Sequence, residues 1–128
     1  MFFAKTLVAL IASATIAVAN PVSRQASNST TCFFIMTPTP DLGPDGLQTD
    51  INYAIGHTLG EHYPNTILED DNAPLFRHND GTYDVESVIS VQGQAPGDVG
   101  NYVESWAGTT IDGIVAEWAV DAADCVWQ

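Results

Sequence analysis

The sequence contains very few basic residues. Of its 128 residues only three are Lys or Arg, whereas sixteen are Asp or Glu, and the formal net charge is −13 at pH 7. A surface with so little positive charge cannot neutralise a row of phosphates, which excludes nucleic acids and anionic membranes as partners. The same imbalance favours partners of cationic character.

The chain also lacks the short motifs that identify a catalytic site. It has no Gly-x-Ser-x-Gly nucleophile turn and no glycine-rich phosphate loop with its lysine. Carboxylates are plentiful, but no spacing selects a pair of them for acid–base chemistry. The sequence therefore predicts no catalytic residue and no cofactor, and it favours a non-catalytic protein.

An apolar stretch long enough to span a membrane is missing too. Lys5 precedes an apolar run over 7–16, and small residues at 17–19 provide a signal-peptidase site. The run is shorter than the roughly 20 residues of a spanning helix. We therefore predict a signal peptide over 1–19 and a secreted, extracellular protein. Without the signal peptide the chain has two arginines and sixteen carboxylates, which gives a formal net charge of −14.

Only two cysteines are present, and they lie near the two ends of the mature chain. Because a secreted protein folds under oxidising conditions, we expect Cys32 and Cys125 to form a disulfide. This bond would close most of the chain into one loop, a stabilisation of about 4–5 kcal/mol in the chain-entropy model.

The residues between the signal peptide and the first cysteine are polar and show no apolar period. We predict a flexible lead-in over 20–31 and a single domain over 32–128. The lead-in contains an N-glycosylation sequon with Asn28 as the acceptor.

The first half of the domain shows an apolar strand followed by an amphipathic helix. Residues 32–36 are typical of a central strand that is buried on both faces. Asp45 and Gln48 have the spacing of a helix capping box. Apolar residues then recur at helical spacing up to the Tyr-Pro pair at 63–64, where we expect the helix to end.

The second half repeats this order after one additional strand. Residues 65–69 predict a short strand and 70–81 a polar loop. Strict alternation over 83–92 predicts a half-exposed strand. A helix over 96–108 and a last strand over 114–121 complete the pattern.

The order strand–helix–strand–strand–helix–strand predicts an α+β fold of the ferredoxin-like type, a four-stranded antiparallel sheet with two helices on one face. Its first and last strands are neighbours, which would bring Cys32 beside Cys125. Together with the leader and the flanking cysteines, this order resembles small secreted fungal proteins of ferredoxin-like architecture. The resemblance implies an extracellular interaction role and carries over no site residue.

Two groups of residues have the chemistry of weak metal candidates. His57 and Glu61 are four residues apart on the first predicted helix and share a face, whereas His62 lies on another face. The acidic segment 69–72 offers oxygen ligands of the kind calcium prefers, but without EF-hand spacing. A solvated helix face and a hydrated loop are the alternatives, and we expect no bound metal.

The tryptophans divide between the core and the surface. Trp106 and Trp118 fall on apolar faces and are expected to be buried. Trp127 follows Cys125 at the terminus, where it either anchors a partner or packs over the disulfide.

Three functions remain open. The leading hypothesis is an effector-like or cell-surface protein that binds an extracellular protein or wall component. The second is a homodimer through the open sheet face, of the dimeric α/β-barrel kind, which binds a small ligand or substrate between sheet and helices; His57, His62 and Tyr102 are the residues to test. The third is a protease inhibitor that inserts its C-terminal tail.

Overall fold

One curled antiparallel sheet organises residues 28–128, the part of the chain that the computed structural model describes. The predicted signal peptide and residues 20–27 of the predicted lead-in lie outside the described residues. The elements in chain order are β1 (Thr30–Thr39), α1 (Pro44–His62), β2 (Leu68–Asn72), β3 (Phe76–Arg77), β4 (Tyr83–Val91), α2 (Pro96–Glu104), β5 (Thr110–Asp112) and β6 (Glu117–Val126). The strand order is β2-β4-β1-β6-β5, and β3 pairs with β4.

The predicted four-stranded ferredoxin-like sheet is therefore wrong. The described chain has six strands, all paired antiparallel, in a sheet that curls into a half-barrel. The two additional strands are β3, which falls inside the predicted polar loop, and β5, which precedes the predicted last strand. Elements of two and three residues are too short to show an alternating pattern. They form strands because each one pairs with the edge of a longer strand, β3 with β4 and β5 with β6.

The central strand β1 is buried on one face only, contrary to the prediction. Phe34 and Met36 are buried, whereas Phe33 is 39% exposed and Ile35 is half-buried. The reason is that both helices pack against the same face, and no described element covers the other. We call this uncovered side the open face.

The predicted disulfide is confirmed. Cys32 and Cys125 are bonded and directly opposite each other on β1 and β6, with their Cα atoms 4.0 Å apart. The first and last strands are therefore neighbours, as expected. A register shift between Ile35 and Met36 places a bulge in β6 at Asp121. A bulge increases the local twist of a strand pair, which favours the curl of the sheet.

The start of α1 differs from the predicted capping box. Gly43, with φ of 88°, is the N-cap, and Asp45 makes no capping hydrogen bond. The Gln48 side chain instead binds the segment after β2: its Nε2 donates to the Ala73 carbonyl at 3.3 Å, and its Oε1 accepts from the Leu75 N–H at 2.9 Å. The helix ends at His62, immediately before the Tyr-Pro pair, as predicted.

The core lies between the sheet and the two helices. The predicted apolar faces of both helices are confirmed there, together with the alternating residues of β4 from Tyr83 to Val91. Trp106 and Trp118 are also buried, as predicted. Asp50 is an unpredicted member of this layer, with 3% exposure.

Several boundaries differ from the predicted ones. β1 begins at Thr30, inside the predicted lead-in, the strand predicted over 65–69 is found at Leu68–Asn72, and the second helix ends at Glu104 instead of 108. The predicted last strand over 114–121 begins instead at Glu117, because 113–116 form the turn between β5 and β6. The Asp50 carboxylate holds this turn by accepting hydrogen bonds from the N–H groups of Ile114 and Val115. No helix in the described part of the chain has both the length and the hydropathy needed to cross a membrane.

Candidate functional site

A groove of about 660 Å³ crosses the open face of the sheet. Its floor is formed by β1, β4 and β6, and one wall by the segment between β2 and β3. The side chains that give the groove its character are Phe33, Ile35, Pro74, Phe76, Asp84 and Glu86, with Ala122 and Asp124 from β6.

Strand alternation explains which side chains reach the groove. Successive side chains of a strand point to opposite faces, so burial of Phe34 and Val85 turns Phe33 and Glu86 outward. Pro74 has no N–H and interrupts the edge strand, which splits it into β2 and β3. The Ala73 N–H still donates to the Glu86 carbonyl at 3.0 Å, which keeps this wall attached to β4.

The register places aromatic rings beside carboxylates. Phe33 lies directly opposite Glu86 on one side and Asp124 on the other. Phe76, which is 60% exposed, lies directly opposite Asp84. The floor of the groove is therefore apolar, and each of its two exposed phenyl rings has a carboxylate as its cross-strand neighbour.

The arginine that follows Phe76 in the sequence points away from the groove. Arg77 is the only Lys or Arg of residues 28–128, and its Nε lies 2.7 Å from an Asp41 carboxylate oxygen. Since Arg77 is opposite the core-facing Tyr83, this ion pair lies on the helix side of the sheet. At the groove itself, His78 Nε2 is 2.9 Å from Asp84 Oδ1.

Asp41 is the centre of a polar cluster at this end of the sheet. It accepts hydrogen bonds from the Tyr83 hydroxyl at 2.6 Å, Arg77 Nε at 2.7 Å and the Gly43 N–H at 3.0 Å. The Tyr83 hydrogen bond, followed by that of Arg77, lowers the pKa of Asp41 to about 2. Burial, followed by the bond to Asp41, raises the pKa of Tyr83 to about 12. The tyrosine is thus held protonated, as a donor.

The weak metal candidates contact each other on the surface of the helix layer. His57 Nε2 lies 3.2 Å from Glu61 Oε2, with side-chain exposures of 41% and 69%, and the imidazole stacks on Tyr53. Among residues 28–128 no three His, Cys, Asp or Glu side chains come together in a way that could hold a metal ion.

The acidic segment proposed for calcium is strand β2 and not a loop. Its side chains therefore alternate: Glu69 and Asp71 point to the open face, and Asp70 points toward the helices beside Gly56. Burial raises the pKa of Asp70. A split across two faces does not provide the convergent oxygen atoms that calcium requires.

The residues suggested for a pocket between sheet and helices lie away from the groove. His62 and Tyr102 stack on each other with ring centroids 3.7 Å apart, and Tyr63 contacts Tyr102 edge-on. Burial raises the pKa of Tyr63. None of His57, His62 and Tyr102 lines the groove.

The two predicted surface sites are found at one end of the fold. Asn28 is exposed, beside Glu69, Val88 and Ser90 on the open face, so a glycan there would emerge next to that face. Trp127 is 38% exposed and lies against α2. A Cβ on Gly100 would come within 2.5 Å of its ring, so only glycine permits this contact. Glycosylation at Asn28 and a partner contact at Trp127 stay predictions.

Sequence reasoning missed the groove, although part of the signal was present. Alternation over 83–92 already turned Asp84 and Glu86 outward, and the Phe33-Phe34 pair necessarily exposes one ring once β1 is covered on one face only. Comparison with protein-family models, curated proteins and solved structures finds no match. The groove is therefore the feature of this molecule that bears on its function.

Proposed function

We propose that this chain is an extracellular, non-catalytic binding protein whose ligand is a small molecule held in the groove of the open face. The observation that carries the proposal is a groove of about 660 Å³ floored by exposed phenyl and aliphatic side chains. Small-molecule sites are mostly apolar and measure about 300–1,000 Å³.

The groove chemistry favours binding over catalysis. Of the described side chains, those lining the groove include carboxylates but no His, Tyr, Ser, Thr or Cys that could act as nucleophile or as acid–base partner. The neighbouring His78 is engaged with Asp84 at 2.9 Å. We therefore assign the carboxylates of this lining to ligand binding and not to acid–base chemistry.

An extracellular location is supported by two features. The Cys32–Cys125 disulfide is stable in an oxidising compartment. The N-terminal sequence has the charge and the apolar run of a secretion signal.

A homodimer through the open face is the second candidate, because a half-barrel sheet with exposed Phe33 and Val88 could pair with a copy of itself. Charge opposes this arrangement. Each copy would bring Asp84, Glu86 and Asp124 to the interface, and like charges at close range disfavour association. The tail-inserting inhibitor is less favoured, since Asp124 and Cys125 are paired with β1.

Calorimetric titration with 2-naphthylmethanol, a neutral aromatic alcohol of suitable size, tests the proposal. We expect saturable binding that weakens at least about fivefold in Phe33→Ser and in Phe76→Ser, since each loses ring contact. Ile67→Ser is the matched control, because Ile67 is 66% exposed but outside the groove. Melting curves confirm that each variant is folded. Equal affinity in all three folded variants would contradict the proposal, and so would a failure of both the alcohol and its ammonium analogue, 2-naphthylmethylammonium, to bind.

A further inference from the structure

The groove contains two kinds of group that attract positive charge, and the register sets them side by side. Phe33 is opposite Glu86 and Asp124, and Phe76 is opposite Asp84. Directly opposed residues of antiparallel strands have Cβ atoms about 4.5–5.5 Å apart. The face of an aromatic ring and a carboxylate both present negative potential. A cation placed between them is therefore stabilised from two sides.

The described chain supplies little positive charge of its own to this surface. Arg77 is bound to Asp41 on the opposite side of the sheet. His78 contacts Asp84 at the rim, at 2.9 Å. Glu86 is exposed, and its carboxylate has no ion-pair partner among residues 28–128. Within residues 28–128, the Glu86 carboxylate is therefore a negative charge without a basic partner, next to apolar surface.

We infer that the groove, if it binds small molecules as proposed above, is selective for organic cations, namely protonated or quaternary amines attached to an apolar body. The apolar body lies on Ile35 and Ala122. The ammonium group lies at the Phe33 ring, within reach of Glu86. Anions of the same size are rejected by the same carboxylates.

A matched ligand series tests the charge selectivity on the disulfide-bonded protein. The ligands are 2-naphthylmethylammonium, the neutral 2-naphthylmethanol and the anionic 2-naphthylacetate, which share one aromatic body. We expect the ammonium to bind about fivefold more tightly than the alcohol, and the acetate not to bind. Raising the salt from about 20 mM to about 300 mM should weaken only the ammonium, because screening acts on its charge.

The variant Glu86→Gln assigns the effect to the groove. It removes one carboxylate and keeps the side-chain shape, so the ammonium should lose most of its advantage while the alcohol keeps its affinity. Glu61→Gln is the control, since it makes the same change of net charge on α1, on the other side of the sheet. We expect Glu61→Gln to bind both ligands like the parent protein.

The possible outcomes separate this inference from the function on which it rests. If the alcohol and the ammonium bind the groove equally, or if Glu86→Gln and Glu61→Gln act alike, charge selectivity is overturned and the binding function stands. If neither ligand binds, the binding function and the charge selectivity are both overturned.

A dimer in light scattering that dissociates on ligand addition would show that a second copy is the natural occupant. Binding of oligolysine but not of 2-naphthylmethylammonium would identify a basic peptide instead; either result overturns the inference.

Discussion

At the scale of single residues, Asp50 is the most demanding position of the fold. It is a buried carboxylate that accepts three hydrogen bonds, from the N–H groups of Ile114 and Val115 at 2.6 and 2.8 Å and from Trp118 Nε1 at 2.9 Å. A Cβ on Gly113 would lie 2.0 Å from its Oδ2. The turn between β5 and β6 is thus built around this one side chain.

We predict that Asp50→Ala lowers the free energy of unfolding by about 3 kcal/mol or more, because it leaves three donors without their acceptor. Asp50→Asn should also be destabilising, since its amide NH₂ must face one of these N–H donors. Denaturant unfolding measures both effects. Asp45→Ala, in the exposed first turn of α1, is the control and should cost at most about 1 kcal/mol. Equal losses in Asp50→Ala and Asp45→Ala would contradict the role given to Asp50.

The burial of Asp50 and its hydrogen-bond partners could not be predicted from the sequence. The helical period of α1 placed Leu47, Ile51 and Leu59 correctly in the core, since burial follows the apolar face. From the sequence alone, a carboxylate on that face is expected to be solvated, because its three donors lie more than sixty residues away along the chain, two in the turn before β6 and one on β6. Partners of this kind cannot be identified by a local pattern.

At the scale of elements, the Asp41 cluster joins the loop before α1 to β3 and β4. The Asp41 carboxylate binds Arg77 of β3 and Tyr83 of β4. Its folded pKa, about 2, lies below the ordinary 3.8, so its stabilisation is complete above about pH 4 and is lost as the pH falls toward 2. Tyr83 affects stability at alkaline pH. Because its pKa is raised from 10 to about 12, its contribution to folding stability is lost above about pH 10.

We predict that Tyr83→Phe raises the pKa of Asp41 toward 3.8 and reduces the loss of stability between about pH 4 and about pH 2, because it removes the hydrogen bond that lowers this pKa most. An NMR titration of the Asp41 carboxyl carbon, with melting temperatures over the same range, measures both quantities. Tyr53→Phe, at a tyrosine of α1 that is 41% exposed, should change neither. An unchanged Asp41 titration in Tyr83→Phe would refute this account of the cluster.

The sequence predicted the long elements and missed the short ones. Both helices, β1 and β4 are found close to their predicted positions, because each carries several turns or alternations of apolar residues. The strands β3 and β5 are defined by the edges of β4 and β6. With those two strands unrecognised, four strands and two helices resembled the ferredoxin-like order, and the curl of the sheet was not foreseen.

At the scale of the whole molecule, one face of the sheet carries the helices and the core, and the other carries the groove. The strong acidity of the chain is compatible with this division, since carboxylates can border an apolar groove and remain hydrated. The groove was not predicted, because it depends on which face the helices leave uncovered and on the break in the edge strand at Pro74.

We propose that the ligand binds on the open face and not on the helix layer. The most direct test is an amide NMR titration of the labelled, disulfide-bonded protein with 2-naphthylmethylammonium. We expect saturable shifts confined to β1, the β3–β4 pair and β6, with the largest near Phe33, Glu86 and Ala122. Shifts centred on His62 and Tyr102 in the helix layer, or no shifts at saturating ligand, would contradict it.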